Sequence, residues 1–268
     1  MKEIIQALQK EISNQALTFK GESIPKVSLE DINQTLGLFK KALFPGVFHI
    51  VEQHDLETFL ETILFKLKFD LSAVLQKFDQ KKPEKLALEI IQKLPLLKRD
   101  LFEDIKAIYD GDPAAETHEE VILAYPSFEA IMTYRIAHEL TKLKLNLFAR
   151  MCSSIAHRKT GIDIHPKAVI GHSFCIDHGT AIVIGESAVI GNHVKLYQGV
   201  TIGALSVSKN QKNKKRHPTI EDNVTIYART TILGGNTVIG KNSIIGGNVW
   251  LTSSVPENSK IYNKEATI

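Results

Sequence analysis

Two histidines in this chain interrupt a repeat, and each stands beside a charged neighbour. His178 follows Asp177 in Asp177-His178-Gly179, and His217 follows Arg216 in Arg216-His217-Pro218. An imidazole titrates near neutral pH, so it can take a proton from a weak nucleophile and return it within one turnover. Histidine alone says little, because the chain holds 10 of them. His49, His54, His118, His138 and His157 lie before the repeat and are expected to be structural or solvent-exposed, with His138 capping or pairing within its own helix.

The interrupted repeat begins after Gly161. Aliphatic residues return every sixth position: Ile164, Ile170 and Ile176, then Ile184, Ile190, Leu196 and Ile202, then Ile220, Ile226 and Ile232, and last Ile239, Ile245 and Leu251. Glycine follows the aliphatic residue at Gly171, Gly185, Gly191, Gly203, Gly240 and Gly246. Ordinary strands would alternate with period two. A period of six fits one side of a triangular coil, whose stacked turns bury a continuous apolar column. Glycine beside that column suits a corner that needs positive φ or close backbone approach.

Three defects break the series. Ile176 and Ile184 are eight apart, so two extra residues bulge at Asp177-His178-Gly179. Ile202 and Ile220 are eighteen apart, and the intervening ALSVSKNQKNKKRHPT must leave the coil as a loop. Ile232 and Ile239 are seven apart, with a single insertion around Gly234-Gly235. Insertions in a solenoid mark places where the stack presents something other than core. Asp163 precedes His178 by fifteen residues, and neighbouring turns can bring the two together.

Upstream, to about residue 157, the pattern is helical. Leu86, Ile90, Leu94, Leu97, Leu101, Ile105 and Ile108 recur at spacings of three and four, on one helix or on two broken near Pro95. A second helix is expected over SFEAIMTYRIAHELTKLKLNLFARMCSSIAH with Ser127 as its N-cap, and YDGDPAAETHEE between them reads as a turn. The region from Leu36 to Leu67 also looks helical. The fold class is therefore α+β: an N-terminal all-α domain over 1–160, a β-helix of hexapeptide repeats over 161–256, and a tail over 257–268.

Composition narrows the function classes. With 33 basic and 30 acidic residues the net charge of +3 gives no case for nucleic-acid binding. The two cysteines, Cys152 and Cys175, have no metal-ligand spacing, which suits a reduced, cytoplasmic protein. The opening MKEIIQALQKEIS lacks an apolar signal core, and no run approaches the roughly eighteen apolar residues of a membrane span.

GIDIHPKAVIG, IDHGTAIVIGESAVIGNHVKLYQGVTIGALS and KRHPTIEDNVTIYARTTILGG resemble the left-handed β-helix of serine O-acetyltransferases. DPAAET and YPSFEAIMTYRIAHEL resemble the helical domain joined to it, so the similarity spans roughly residues 105 to 256. The left-handed sense comes from this resemblance alone, against the usual crossover rule. The resemblance implies transfer of acetyl from acetyl-CoA to L-serine, giving O-acetylserine. It implies His178 as general base oriented by Asp163, Asp112 and Asp177 for the substrate ammonium, and Arg216 with His217 for its carboxylate. Gly203, Ala204, Ala228 and Gly247 match the small residues that line CoA, and no metal is required. It further implies L-cysteine as feedback inhibitor in the same pocket, a homotrimer or a hexamer of two trimers, and an O-acetylserine sulfhydrylase partner reached through Ile268. The tail departs from many members in lacking a Gly-x-Pro-Ala segment.

The basic run 209–216 is read as a solvated loop whose charge would also attract CoA phosphates, and Trp250 as closing the last coil. Other readings of the repeat remain. A sugar acyltransferase would need a saccharide pocket instead of paired charge handles. A zinc hydratase would need three converging histidines, for which His165, His172 and His193 supply material. A non-enzymatic scaffold for the sulfhydrylase would not need His178.

Overall fold

The computed structural model describes residues 1–2, 4–7, 9, 26–49, 52–78, 80–205 and 214–263. The helical part comprises α1 (Leu29–Leu43), α2 (Leu56–Lys77), α3 (Pro83–Ile91), α4 (Leu94–Gly111), α5 (His118–Ala124), α6 (Pro126–Lys142) and α7 (Asn146–Thr160). The capping box that opens α1 pairs Ser28 with Asp31 through reciprocal bonds of 2.8 and 3.1 Å. The stripe from Leu86 to Ile108 is divided between α3 and α4, with Pro95 in the first turn of α4, where its missing N–H has no helical partner to lose. No helix among the described residues is long and apolar enough to cross a membrane.

Two expectations for these helices need correction. The stretch from Ser127 to His157 is two helices, because the chain breaks between Lys142 and Asn146 and Lys144 takes a φ of 63°. Ser127 is not an N-cap. Tyr125 holds that place, Pro126 opens α6, and Ser127 is buried inside the first turn.

Among the described residues, fourteen short parallel strands then wind into a three-sided prism. The first sheet stacks β1 (Asp163–Ile164), β4 (Val183–Ile184), β7 (Thr201–Gly203), β10 (Thr231–Leu233) and β13 (Trp250–Leu251). The second stacks β2 (Val169–Ile170), β5 (Val189–Ile190), β8 (Thr219–Ile220) and β11 (Val238–Ile239). The third stacks β3 (Cys175–Asp177), β6 (Lys195–Tyr197), β9 (Thr225–Ile226), β12 (Ile244–Ile245) and β14 (Lys260–Ile261). Register aligns the inward residues, Ile164 with Ile184 and Ile202, and Ile176 with Leu196 and Ile226, so each aliphatic side chain sits on the next. Corner one joins the first sheet to the second, corner two the second to the third, and corner three the third to the next turn.

The repeat glycines do not supply the positive φ. At corner two that backbone falls to Ser173, His193, Asn223, Asn242 and Asn258, with φ between 54° and 60°. Asparagine tolerates this region because its short polar side chain bonds locally. Here the amides form a ladder, Asn223 to Asn242 at 3.1 Å and Asn242 to Asn258 at 3.0 Å. The glycines allow close stacking instead: a Cβ on Gly171 would lie 2.7 Å from the Gly191 carbonyl oxygen. The coil also runs past the expected limit at 256, since β14 pairs with β12 through Ile261. Trp250 does not close the coil from within. It lies on the outer face of β13 and is 67% exposed.

The first coil has an open edge whose backbone groups no earlier turn can satisfy. The helices cover it. Tyr134 Oη donates to Ala168 O at 2.7 Å, Ser153 Oγ to Ile164 O at 3.1 Å, and His138 Nδ1 bonds Pro166 O at 2.9 Å, so His138 serves the coil and not its own helix. Arg135 donates to Ile170 O at 2.9 Å and Gly171 O at 2.7 Å. The same guanidinium grips both oxygens of Asp104 on α4, at 2.8 and 2.9 Å, and Asp104 also accepts the Phe174 N–H at 2.9 Å. Both side chains are buried.

Replacing Asp104 by Ala would leave that guanidinium buried and unpaired. Unfolding in urea is expected to show a loss of about 3–5 kcal/mol, and a loss below about 1 kcal/mol would contradict this account of the junction.

Candidate functional site

Corner three carries the bulge. His178, Gly179 and Ala181 take φ of 58°, 88° and 65°, which absorbs the two extra residues without disturbing the inward column. The bulge rests on the coil before it: Ala181 N donates to Gly161 O at 2.9 Å, and Gly179 packs so closely on Ile162 that a Cβ would meet its Cδ1 at 2.5 Å. His178 is thereby held at the corner where β1 begins, with its side chain 72% exposed.

Its carboxylate neighbour is Asp177, with Nε2 at 3.8 Å from Oδ1. Asp163 lies at the same corner, paired with Val183 on β4, but no hydrogen bond or ion pair joins it to His178. The other oxygen of Asp177 meets Lys195 Nζ at 3.0 Å. That ammonium donates to Gly111 O at 2.6 Å and lies 4.6 Å from the centre of the Tyr197 ring. Burial works against the Lys195 charge, but the bonds to Tyr197 and Asp177 outweigh it and raise its pKa.

Asp112 reaches this cluster from the helical part. It caps the C-terminus of α4 at Asp-Pro-Ala, where its Oδ1 accepts the Ala114 N–H at 2.9 Å in a tight side-chain turn. Its Oδ2 accepts from Tyr125 Oη at 2.7 Å. The Tyr125 bond first, then that of Ala114, holds the Asp112 carboxyl below its usual range, with Lys195 and His178 adding positive charge nearby. The same contact pushes Tyr125 up to about 12. Asp112, Asp177, Lys195 and His178 thus form one group, and Lys195 was not legible in the sequence. It occupies an ordinary outward position of β6, and only the pairing of β6 with β3 places it beside Asp177.

Corner one carries the other charged residues. Arg216 binds Glu186, which also accepts from Lys167 at 3.1 Å. Burial opposes the Glu186 charge, but these two bonds bring its pKa down to about 2. Lys215 and Arg216 are therefore fixed to the coil and do not belong to a solvated loop; Lys215 Nζ donates to Ser187 O at 2.8 Å and Pro218 O at 2.9 Å. The His217 ring is 7% exposed and lies against Gly185, and its Nδ1 faces the Ser187 N–H at 3.1 Å. Burial, with Arg216 close by, pushes His217 down to about 4. His165 turns the same corner two coils earlier, and burial, aided by Arg150, likewise lowers it to about 4.

The expected site residues therefore divide between two corners. Asp163, Asp177 and His178 lie at corner three with Asp112, whereas Arg216 and His217 lie at corner one. The small residues divide the same way. Gly203 and Ala204 lead from the first sheet into corner one, while Ala228 and Gly247 stack at corner three, where a Cβ on Gly247 would lie 3.1 Å from Ala228 O. His165 sits on corner one and His172 and His193 on corner two, so these three do not converge. Residues 206–213 of the loop and the terminal Ile268 lie outside the described residues.

No family model matches the chain. Among curated relatives it is 51% identical over 175 residues to the plasmid serine acetyltransferase of Synechococcus elongatus, covering 63% of this chain and 54% of that protein. It is 49% identical over 128 residues to the serine acetyltransferase of Bacillus subtilis, covering 48% and 57%. The match spans about half the length of these curated relatives. Solved structures extend it over nearly the whole fold. Serine acetyltransferase 1 of Entamoeba histolytica, in complex with L-cysteine, superimposes with a TM-score of 0.79 at 36% identity, covering 89% of this chain and 87% of that one. Isoform 3 from the same organism, in complex with cysteine, gives 0.77 at 31% identity, covering 100% and 95%. A likeness at this identity over helical part and prism together places the chain in the serine acetyltransferase family.

Proposed function

We propose that this protein is a serine O-acetyltransferase, moving acetyl from acetyl-CoA to the hydroxyl of L-serine to give O-acetylserine for cysteine biosynthesis. The observation that carries the reading is the group at the bulge: an accessible imidazole at a break in the repeat, beside Asp177, Lys195 and Asp112. Acetyl-CoA supplies the activated acyl group. His178 takes the proton of the serine hydroxyl as its oxygen bonds the thioester carbon. The imidazolium returns that proton to the CoA sulfur as the carbon–sulfur bond breaks. Asp163, at the same corner, is the carboxylate that would orient the ring once the exposed side chain turns towards it. No step in this scheme calls for a metal.

The two charge handles of the amino acid find partners of opposite sign. Asp112, Asp177 and Lys195 carry one net negative charge for the ammonium, and Arg216 with His217 offers donors to the carboxylate. L-cysteine has the same handles and would compete in this pocket as a feedback inhibitor. Cysteine is bound in the solved relatives above, which supports that reading.

Corners one and three of one rigid prism cannot meet, so a complete site calls for a second copy. In a homotrimer corner one of each subunit faces corner three of the next. Val169, Val183 and Val189 project outward beside corner one and would be covered by such a neighbour. The groove between the two corners would be walled by Gly203 and Ala204 on one side and by Ala228 and Gly247 on the other, room enough for an extended CoA arm. Pairing of helical parts would turn the trimer into a hexamer. The sulfhydrylase contact through Ile268 and a cytoplasmic location belong to the same reading, and both cysteines are free and buried.

With L-serine and acetyl-CoA, His178→Ala is expected to lower thiol release by about 10²–10⁴-fold. Turnover near wild type would reject His178 as the base. The shared site gives a second expectation. His178→Ala and Arg216→Ala chains, each inactive alone, should regain about a quarter of wild-type activity when refolded together at equal amounts, because one interface in four combines two intact halves. No recovery in demonstrably mixed trimers would place the whole site within one chain.

A further inference from the structure

We infer that Ser187 is a positioning residue, which fixes His217 as the neutral tautomer with its proton on Nε2 and so makes that ring a hydrogen-bond donor. The role of this donor in holding the substrate carboxylate rests on the acetyltransferase reading; the tautomer itself does not.

Gly185-Glu186-Ser187-Ala188 is the tight turn at corner one of the second coil, closed by Ala188 N to Gly185 O at 3.1 Å. Each of its first three residues serves the chain returning from the loop. Gly185 leaves room for the imidazole, since a Cβ there would fall 2.1 Å from Nε2 and 2.0 Å from Cδ2. Glu186 binds the Arg216 guanidinium. Ser187 meets His217 Nδ1 twice, through its backbone N–H at 3.1 Å and its hydroxyl at 2.8 Å.

The direction of these bonds follows from what each atom can do. A backbone N–H only donates, so Nδ1 accepts and carries no proton. Ser187 Oγ accepts the N–H of Arg216 at 2.9 Å and of His217 at 3.1 Å, which engages its two lone pairs. Its own proton therefore turns to Nδ1. The remaining ring proton belongs on Nε2, the nitrogen for which no described residue is an acceptor. Protonating Nδ1 would set an N–H against an N–H in a nearly buried place. The opposite tautomer would present a lone pair to a carboxylate and repel it. A neutral Nε2–H beside the permanent charge of Arg216 gives directional recognition without a second desolvated cation.

The full chain, labelled with ¹⁵N-histidine, tests this at neutral pH. His217→Gln identifies the His217 resonances, which are expected to show Nε2 protonated and Nδ1 bare. Ser187→Ala keeps the backbone N–H that faces Nδ1 but removes the hydroxyl, so the preference should weaken towards a mixture of tautomers, with the serine KM raised about tenfold or more, kcat changed by less than about threefold, and the acetyl-CoA KM unaltered. Ser187→Thr keeps the hydroxyl and should restore both the tautomer and the KM, which separates positioning from a general loss of folding. A wild-type spectrum with the proton on Nδ1, or a Ser187→Ala chain with the wild-type serine KM, would overturn the inference. The spectrum needs no turnover, so a protein that showed the tautomer but did not acetylate serine would refute the proposed function and leave the structural assignment standing.

Discussion

The open edge of the first coil is the constraint on which the other arrangements depend. A solenoid satisfies its backbone by stacking, so its first turn needs something other than another turn. Here the cover is a helical bundle, and its central contact is the Asp104–Arg135 pair, which reaches both carbonyl and N–H groups of that turn. Burying two charges is costly, and what offsets it is the use of four of the five guanidinium donors and three bonds accepted by the carboxylate. The contact also fixes α4 in direction. Eight residues after Asp104 the same helix ends at Asp112, and Gly111 beside it accepts Lys195 from β6. A pair that secures the end of the prism therefore also sets where a carboxylate from the helices meets the bulge.

Breaks in a repeat can carry polar chemistry because the inserted residues are released from the column. Release alone would leave them disordered, and within the described residues two of the breaks are tied down by close packing on a regular turn. Gly179 sits on Ile162, and the return of the long insertion sits on Gly185, Glu186 and Ser187. The chemically useful side chains lie on the insertions, and their supports lie on the repeat.

That division explains what could be read in advance. The period of six, the two extra residues at His178, the Asp-Pro-Ala turn at Asp112 and the loop before His217 are visible because each changes the spacing of aliphatic residues or adds a turn signal. Lys195, Glu186 and Ser187 occupy normal outward positions, so nothing in the pattern distinguishes them from solvated surface. Their partners lie in neighbouring turns, and pairing register alone brings them together. Ser127 resembles a cap because it is a serine before an apolar stripe, whereas Pro126 opens the helix one residue earlier. The end of the β-helix is hidden in the sequence because Val255 and Ile261, themselves six apart, resume the period only after the break at Leu251; Val255 bridges Ile239 and β14 completes the third sheet.

Charge at the two corners bears on substrate class more directly than the repeat does. Taken as ionised, the Asp112, Asp177 and Lys195 group at corner three carries one excess negative charge. At corner one, Arg216, Lys167 and Lys215 exceed Glu186, while burial holds His165 and His217 neutral. In the proposed site shared between copies, a zwitterion spanning corner one of one subunit and corner three of the next would be stabilised at both ends. A neutral sugar would leave both sets of charges partly desolvated without compensation, a cost that grows as water is excluded. The neutral state of His217 would matter to this balance, because a second desolvated cation beside Arg216 would add repulsion where, in the proposed site, one guanidinium and one oriented N–H match a single carboxylate.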